Sequence, residues 1–574
     1  MSRGQFRSRN TVGEIFSYQT DSNSLFDPSV LFLPGNPGRV HWNLGPTGPT
    51  GYTADNSLAY TFSDGGLLKT VEMRTNKLSN LRQFDSRSDN IVGHLDFNKW
   101  TNFGGYFNVS NNPSLTGITH TASTQEVISY DVFNCDLTGE LDLSGLQYFL
   151  KYITTPFPIF NSGRFNAYNN PNLTRIKHHP NIIGSTFGYQ VYNCDLQGEL
   201  DMTMFYDLGT IFTCYNNPSL TGITHTASTR DWGLYRADNC DIIGRHDMTM
   251  FYDGLGGHFR INDNPNLTGI DHAYSSNAFT YYYAYDCDLT GNHDLTMLTG
   301  LGARFDAHNN PSLTGVTHTA STTVFTQYQL HDCDITGNHD LSMFPNFGGS
   351  FLIRNNSNLT GITHTYSNQT FTQYDANTCN LTGDLDLTMF PNLGGAFNVY
   401  NNTNLTSITH TASTQTFTTY SFHNCDITGD HDISMLSGLT THIFGYNNNN
   451  MTNVILPPAT GTFRNTSIRE AISFESCDLG YVNFLPMAGI TMDVGYIYGA
   501  SIHLGSNSMT AAEVNHVLVD FDEIVTNQNP AGWTGVTLHI GGTNASPDTT
   551  SGGYDGVAAI NSLTGATNNW TVFV

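Results

Sequence analysis

Hydrophobic positions recur along this chain at a fixed step. Two modules alternate. One reads Phe107-Asn-Val-Ser-Asn-Asn-Pro-Ser-Leu115-Thr-Gly-Ile-Thr-His120, the other Tyr130-Asp-Val-Phe-Asn-Cys135-Asp-Leu137-Thr-Gly-Glu-Leu-Asp142-Leu143. Anchored on the Leu-Thr-Gly leucine or its equivalent, about eighteen copies run from Ile91 to Met509, most of them 22–25 residues apart. The alternation around each aromatic residue has the period of a strand, too short for a helix. A repeat of this length that cannot bury its apolar face alone predicts stacked coils, a solenoid. Three regions follow: residues 1–65 outside the repeat, a solenoid over 66–508, and a closing region over 509–574.

The columns of the repeat predict the core. Position one of the strand is Phe107, Phe165, Phe212, Phe259, Phe305, Phe351 and Phe397 in one module, and Tyr130, Tyr189, Tyr235, Tyr282, Tyr328, Tyr374 and Tyr420 in the other. This reads as an inward aromatic spine. Five positions on, asparagine (Asn112 to Asn402) alternates with cysteine (Cys135 to Cys425), and the asparagines are expected to bond the backbone of the bend. The closing region changes period. Thr510-Ala-Ala-Glu513 is a capping box opening a helix over about 511–526. A strand over 536–540, a short helix over 557–563 and a final strand over 570–574 complete a small α/β cap.

Eight of the nine cysteines share one slot in alternate coils. Like slots two coils apart lie about 10 Å from each other, too far for a disulfide or a shared zinc ion, so they read as buried thiols. Cys214 lies off this ladder at an inward strand position. Histidine and aspartate are also periodic. Counted from the anchor leucine, His120, His225, His272 and His318 fall at the same offset as Asp142, Asp247, Asp294 and Asp340. One register interleaves them as a single structural column, in which carboxylates on adjacent strands raise the histidine pKa values. Counting from the Asn/Cys slot shifts the register by one and sets Thr119 against aspartate. Asp286-Cys-Asp288 and Asp332-Cys-Asp334 lack the further ligands of a calcium loop. No metal site, cofactor or catalytic residue is expected.

Position four of the strand points outward and is not held to the repeat. Phe133, Tyr168, Tyr192, Tyr215, Tyr285, His308, His331, Arg354 and Tyr400 are the candidate ligand-binding residues there. Aromatic and polar groups side by side on a rigid sheet suit a glycan or a protein epitope.

Composition changes this picture in two ways. Only 12% of the 574 residues are charged, so the polar surface consists mainly of Asn, Thr, Ser, Tyr and His. The net charge of −26 argues against nucleic acid, whose phosphates need clustered Lys and Arg. Part of the acidic excess is one Asp per pair of coils. No apolar run is long enough to span a membrane, and the basic start leads into no signal-peptide core.

The second module fits the L-x-L-x-x-(N/C)-x-L pattern and so resembles the leucine-rich repeats, in the variant with a second short strand per coil. This makes the expected fold a mainly β leucine-rich-repeat solenoid. The segments Met509-Thr-Ala-Ala-Glu-Val-Asn, Gly541-Gly-Thr-Asn-Ala and Asn569-Trp-Thr-Val resemble the closing repeat of leucine-rich-repeat proteins from Bacteroidota and their phages. That resemblance implies a non-enzymatic structural and adhesion protein of a phage virion, such as a fibre, spike or capsid decoration. Its location would be the virion surface and its partner a host-surface glycan or protein. Residues 1–65 would join other virion proteins, and the collagen-like Gly45-Pro-Thr-Gly-Pro-Thr-Gly51 hints at a homotrimer. A bacterial cell-surface adhesin and a purely structural virion scaffold or cement protein are the alternatives.

Overall fold

The structure is a computed structural model. It describes residues 14–20, 25–26, 29–32, 40–43, 50–53, 60–61, 69–75, 81–98, 100, 103–149, 163–182, 185–205, 207–225, 232–251, 255–321, 323–439, 442–458, 461–464, 472–493 and 500–574. The protein is mainly β and divides into two units, Met1–Asp288 and Leu289–Val574. Each is a parallel β-solenoid.

In the first unit the main sheet runs from Leu81–Asp85 to Phe279–Tyr283. Position one pairs with position one throughout: Phe107 with Tyr130, Tyr130 with Phe165, Phe165 with Tyr189. The second unit follows the same rule from Phe305–Tyr328 to Phe397–Tyr420. Beyond Tyr420 the spine turns aliphatic, through Ile443, Ile472, Ile502, Leu538 and Val572. All these rings of the spine are buried. Within each unit neighbouring rings lie 4.8–6.0 Å apart, as in Phe107–Tyr130 and Tyr189–Phe212.

Each bend is closed by the Asn/Cys slot. Asn217 Nδ2 donates to Val191 O at 3.0 Å and to Cys214 O at 2.6 Å, and its Oδ1 accepts from Leu196 N at 3.1 Å. Cysteine only donates, as Cys194 Sγ does to Ala167 O at 3.3 Å. All nine cysteines, Cys214 included, are free and buried. Burial pushes the Cys135 and Cys194 thiols up to about 12. The residue before the slot is in the left-handed region, with φ between 54° and 58° at Asn111, Asn134, Asn169, Asn193, Asn216 and Asn239. Asparagine tolerates that conformation. Its amide also donates to the same residue one coil back, at 2.6–2.8 Å, forming a second ladder down the first unit.

The second strand of each coil pairs with one neighbour. Gly139–Leu143 pairs with Leu173–His178, and Gly198–Asp201 with Leu220–Thr224. A register shift falls at the glycine of the Cys-type coil. Gly139 faces Leu173, but Glu140 already faces Arg175. Gly139 has φ 69°, whereas the same slot of the Asn-type coil holds Arg175 or Ser407, and no positive φ is found there. Leu-Thr-Gly is therefore one motif in sequence and two in structure.

That shift decides the histidine register and overturns the shared column. Asp142 faces Lys177, Asp247 faces Asp271, Asp294 faces Thr317 and Asp340 faces Thr363. Histidine faces the next, inward position: His120 opposes Phe97, and His272 opposes Met248. His225 and His318 are buried in the equivalent slot.

Strands of the N-terminal region pair with the first coils. Glu14–Thr20 pairs antiparallel with Lys69–Thr75 and with the second strand at Ile91–Val92. Ser29–Phe32 pairs antiparallel with Leu81–Asp85. Both starting edges are thus covered, which protects an edge strand from intermolecular pairing. Residues 44–49, most of the collagen-like stretch, lie outside the described residues; Thr50–Thr53 is a strand.

At the other end α1, Ala511–Glu523, begins with the expected capping box, Thr510 with Glu513. Five residues of π-helix continue it to Gln528. A second helix, α2, spans Gly556–Leu563. Trp533, Val514, Leu518 and Phe521 are buried there.

Candidate functional site

Chemistry-bearing side chains lie on two sides of the coil wall. On the inside, every described tyrosine of the spine meets a histidine. His120 Nε2 is 2.7 Å from Tyr130 Oη, and His178 is 2.9 Å from Tyr189. The pattern repeats for His225–Tyr235, His272–Tyr282, His318–Tyr328, His364–Tyr374 and His410–Tyr420. The alternation of Phe and Tyr is explained by this contact. A second histidine reaches the same hydroxyl in several coils: Tyr235 with His246 at 2.6 Å, Tyr328 with His339 at 2.8 Å, and Tyr420 with His431 at 3.2 Å.

These imidazoles are neutral by construction. Nδ1 of His120, His178, His318, His364 and His410 makes no hydrogen bond, so a second proton would have no acceptor in an apolar interior. Burial lowers His120, His178, His364 and His410 to about 3, against an ordinary 6.5. His246, His339 and His431 fall to about 4 for the same reason. The expected upward shift is therefore reversed. Asp142 does act to raise the His120 value, but desolvation outweighs it.

On the outside, four candidates in the first unit form one ladder. Phe133–Tyr168, Tyr168–Tyr192 and Tyr192–Tyr215 stack at 4.6, 4.5 and 4.5 Å with their planes 5–12° apart. Partial burial beside the Tyr168 and Tyr215 hydroxyls pushes the Tyr192 hydroxyl up to about 12. The Arg236 guanidinium covers the end of the ladder, 3.7 Å from the Tyr215 centroid, and is held by Asp238 at 2.7 Å. Ring faces inside the ladder are thus occupied, and edges and hydroxyls face solvent. Tyr285 lies apart from it, 5.9 Å from Tyr283.

In the second unit the outward column is built from titratable groups. His308 and His331 stack at 4.3 Å. Each holds a carboxylate: His308 with Asp306 at 2.5 Å, His331 with Asp332 at 2.6 Å. Arg354 lies 3.8 Å from Asp375. Tyr400, His423 and Tyr446 stack at 4.5 and 4.3 Å, and burial lowers His423 to about 4.

Beside the Phe133–Tyr215 ladder lies a groove that position four alone does not reveal. It is lined by Gln83, Asp85, Tyr106, Asn108, Asp131 and Arg164, among others. These residues flank position one on either side. Alternate residues of a strand share a face, so the same parity argument extended to both neighbours of the spine finds them. Among the described residues no group of three His, Cys, Asp or Glu side chains is placed to hold a metal ion, and no helix is long and apolar enough to cross a membrane.

Fold and surface together define a β-solenoid repeat protein with a patterned outer sheet. No family model, curated protein or solved structure matches the chain.

Proposed function

We propose that this is a non-enzymatic structural and adhesion protein whose outer sheet contacts a host-surface glycan or protein. The observation that carries this reading is the Phe133–Tyr168–Tyr192–Tyr215 ladder beside a polar groove. A rigid row of ring edges and hydroxyls needs little ordering on contact, which favours recognition. The location on a virion, as fibre, spike or capsid decoration, is supported by the resemblance of the closing segment; a bacterial cell-surface adhesin is the alternative.

A glycan and host-protein array tests the contact. Binding by the full chain, lost in a Tyr168/Tyr192/Tyr215→Ala variant that still melts cooperatively, is expected. No binding, or equal binding by both, overturns it. A purely structural role is favoured by one observation, that the ladder's rings already satisfy each other's faces. Mass spectrometry of purified phage particles tests the location.

A further inference from the structure

The groove in the first unit supports a more specific assignment, which rests on the reading just proposed. It offers about 100 Å³, well below the several hundred of a drug-sized pocket. That is room for part of a sugar ring, not for a folded epitope. Phe84 and Phe107 border it from the strands beneath, with their rings turned into the core, and its walls carry amide, hydroxyl and charged groups.

The charged groups are not equivalent. Arg87 is committed, since its Nε lies 3.0 Å from Asp85 Oδ1 and its Nη2 also holds that carboxylate. Asp131 gives both oxygens to neutral donors, Ser129 Oγ at 2.8 Å and Asn166 Nδ2 at 2.5 Å. The Arg164 side chain, at the far end, makes no hydrogen bond or ion pair among the described residues. An open guanidinium fork matches a planar carboxylate in two parallel hydrogen bonds. Each Asp131 oxygen takes one donor and retains a lone pair that accepts a ring hydroxyl, while Asn108, whose Oδ1 is taken by Ser110 N and Oγ, offers its amide N–H as a donor. The net charge of −26 repels anions at long range, but at physiological salt charges beyond about 8 Å are largely screened. The groove's own groups therefore set the selectivity.

We propose that this groove binds an acidic sugar. Arg164 anchors its carboxylate, and Asp131 with the Asn108 amide takes its hydroxyls.

Calorimetry on the full chain tests this with two probe pairs: trigalacturonic acid against its methyl ester, and sialyllactose against lactose. The expected result is at least a tenfold preference for the acid form in one pair. Arg164→Gln should remove that preference. Arg175→Gln, which alters an exposed cation paired with Glu140 on the second strand, should retain it. Equal binding of acid and neutral forms, or an unchanged preference in Arg164→Gln, overturns the assignment. If such equal binding is abolished by the Tyr168/Tyr192/Tyr215→Ala variant, the outer-sheet reading stands and only the acidic sugar falls. No binding of any probe overturns the sugar assignment, and with an empty array the outer-sheet reading falls too.

Discussion

Tyr189 and Tyr192 are three residues apart and have opposite fates. Tyr189 is buried, its hydroxyl on His178 at 2.9 Å. Tyr192 is half-exposed, stacked between Tyr168 and Tyr215. The inner column repeats coil after coil, because each ring packs on the ring of the coil before. The outer column changes from Phe and Tyr to Asp238, Asn262, His308 and Arg354. Strict repetition marks what the core demands, and departure from it marks where the surface can carry recognition.

Acidification should break the two sides apart most strongly. The buried histidines have folded-state pKa values of about 3 to 4 against 6.5 when exposed. Between those values the unfolded chain binds more protons. Stability is therefore full above about pH 6.5 and is lost as pH falls toward 3, by about 1.4 kcal/mol per pH unit for each imidazole. With several such groups per unit, the melting temperature should drop steeply from pH 6.5 to 4.5. A flat profile there would contradict a buried neutral column.

Next is the bend. Asn217→Ala strands the Leu196 amide and two carbonyls, an expected loss of about 3–5 kcal/mol in denaturant unfolding. Cys240→Ala removes only weak thiol contacts and should cost clearly less. Equal losses would mean that the two slots do the same work.

Tyr328→Phe removes the hydroxyl shared by His318 and His339. The expected cost is about 2 kcal/mol, with a steeper acid limb. Phe351→Leu, at a spine position whose side chain makes no hydrogen bond to a histidine, should leave the acid limb unchanged. Smallest is Tyr192→Ala on the outside, about 1 kcal/mol from two lost stacking contacts. A larger loss there would make the outer ladder part of the core.

The reach of the sequence differs between these sides. The spine, the Asn/Cys slot, the capping box and the buried cysteines were legible because each repeats with the period of the fold. The His–Tyr bond left a trace as well, a histidine ten or eleven residues before each tyrosine, but only the register shift at Gly139 turns that spacing into a contact. The groove left no periodic trace, since Asp85, Asp131 and Arg164 break the pattern.

By itself the sequence determined a stacked β-coil protein with an aromatic interior and a helical cap, because a period repeated that often permits little else. The tertiary structure alone decided which face the histidines take, and hence the sign of their pKa shift. It also decided that Glu14–Thr20 and Ser29–Phe32 cover the sheet edges and that the Arg164 side chain stands open in a groove. These outcomes depend on register, on a left-handed glycine in one coil type but not the other, and on neighbours supplied by different coils.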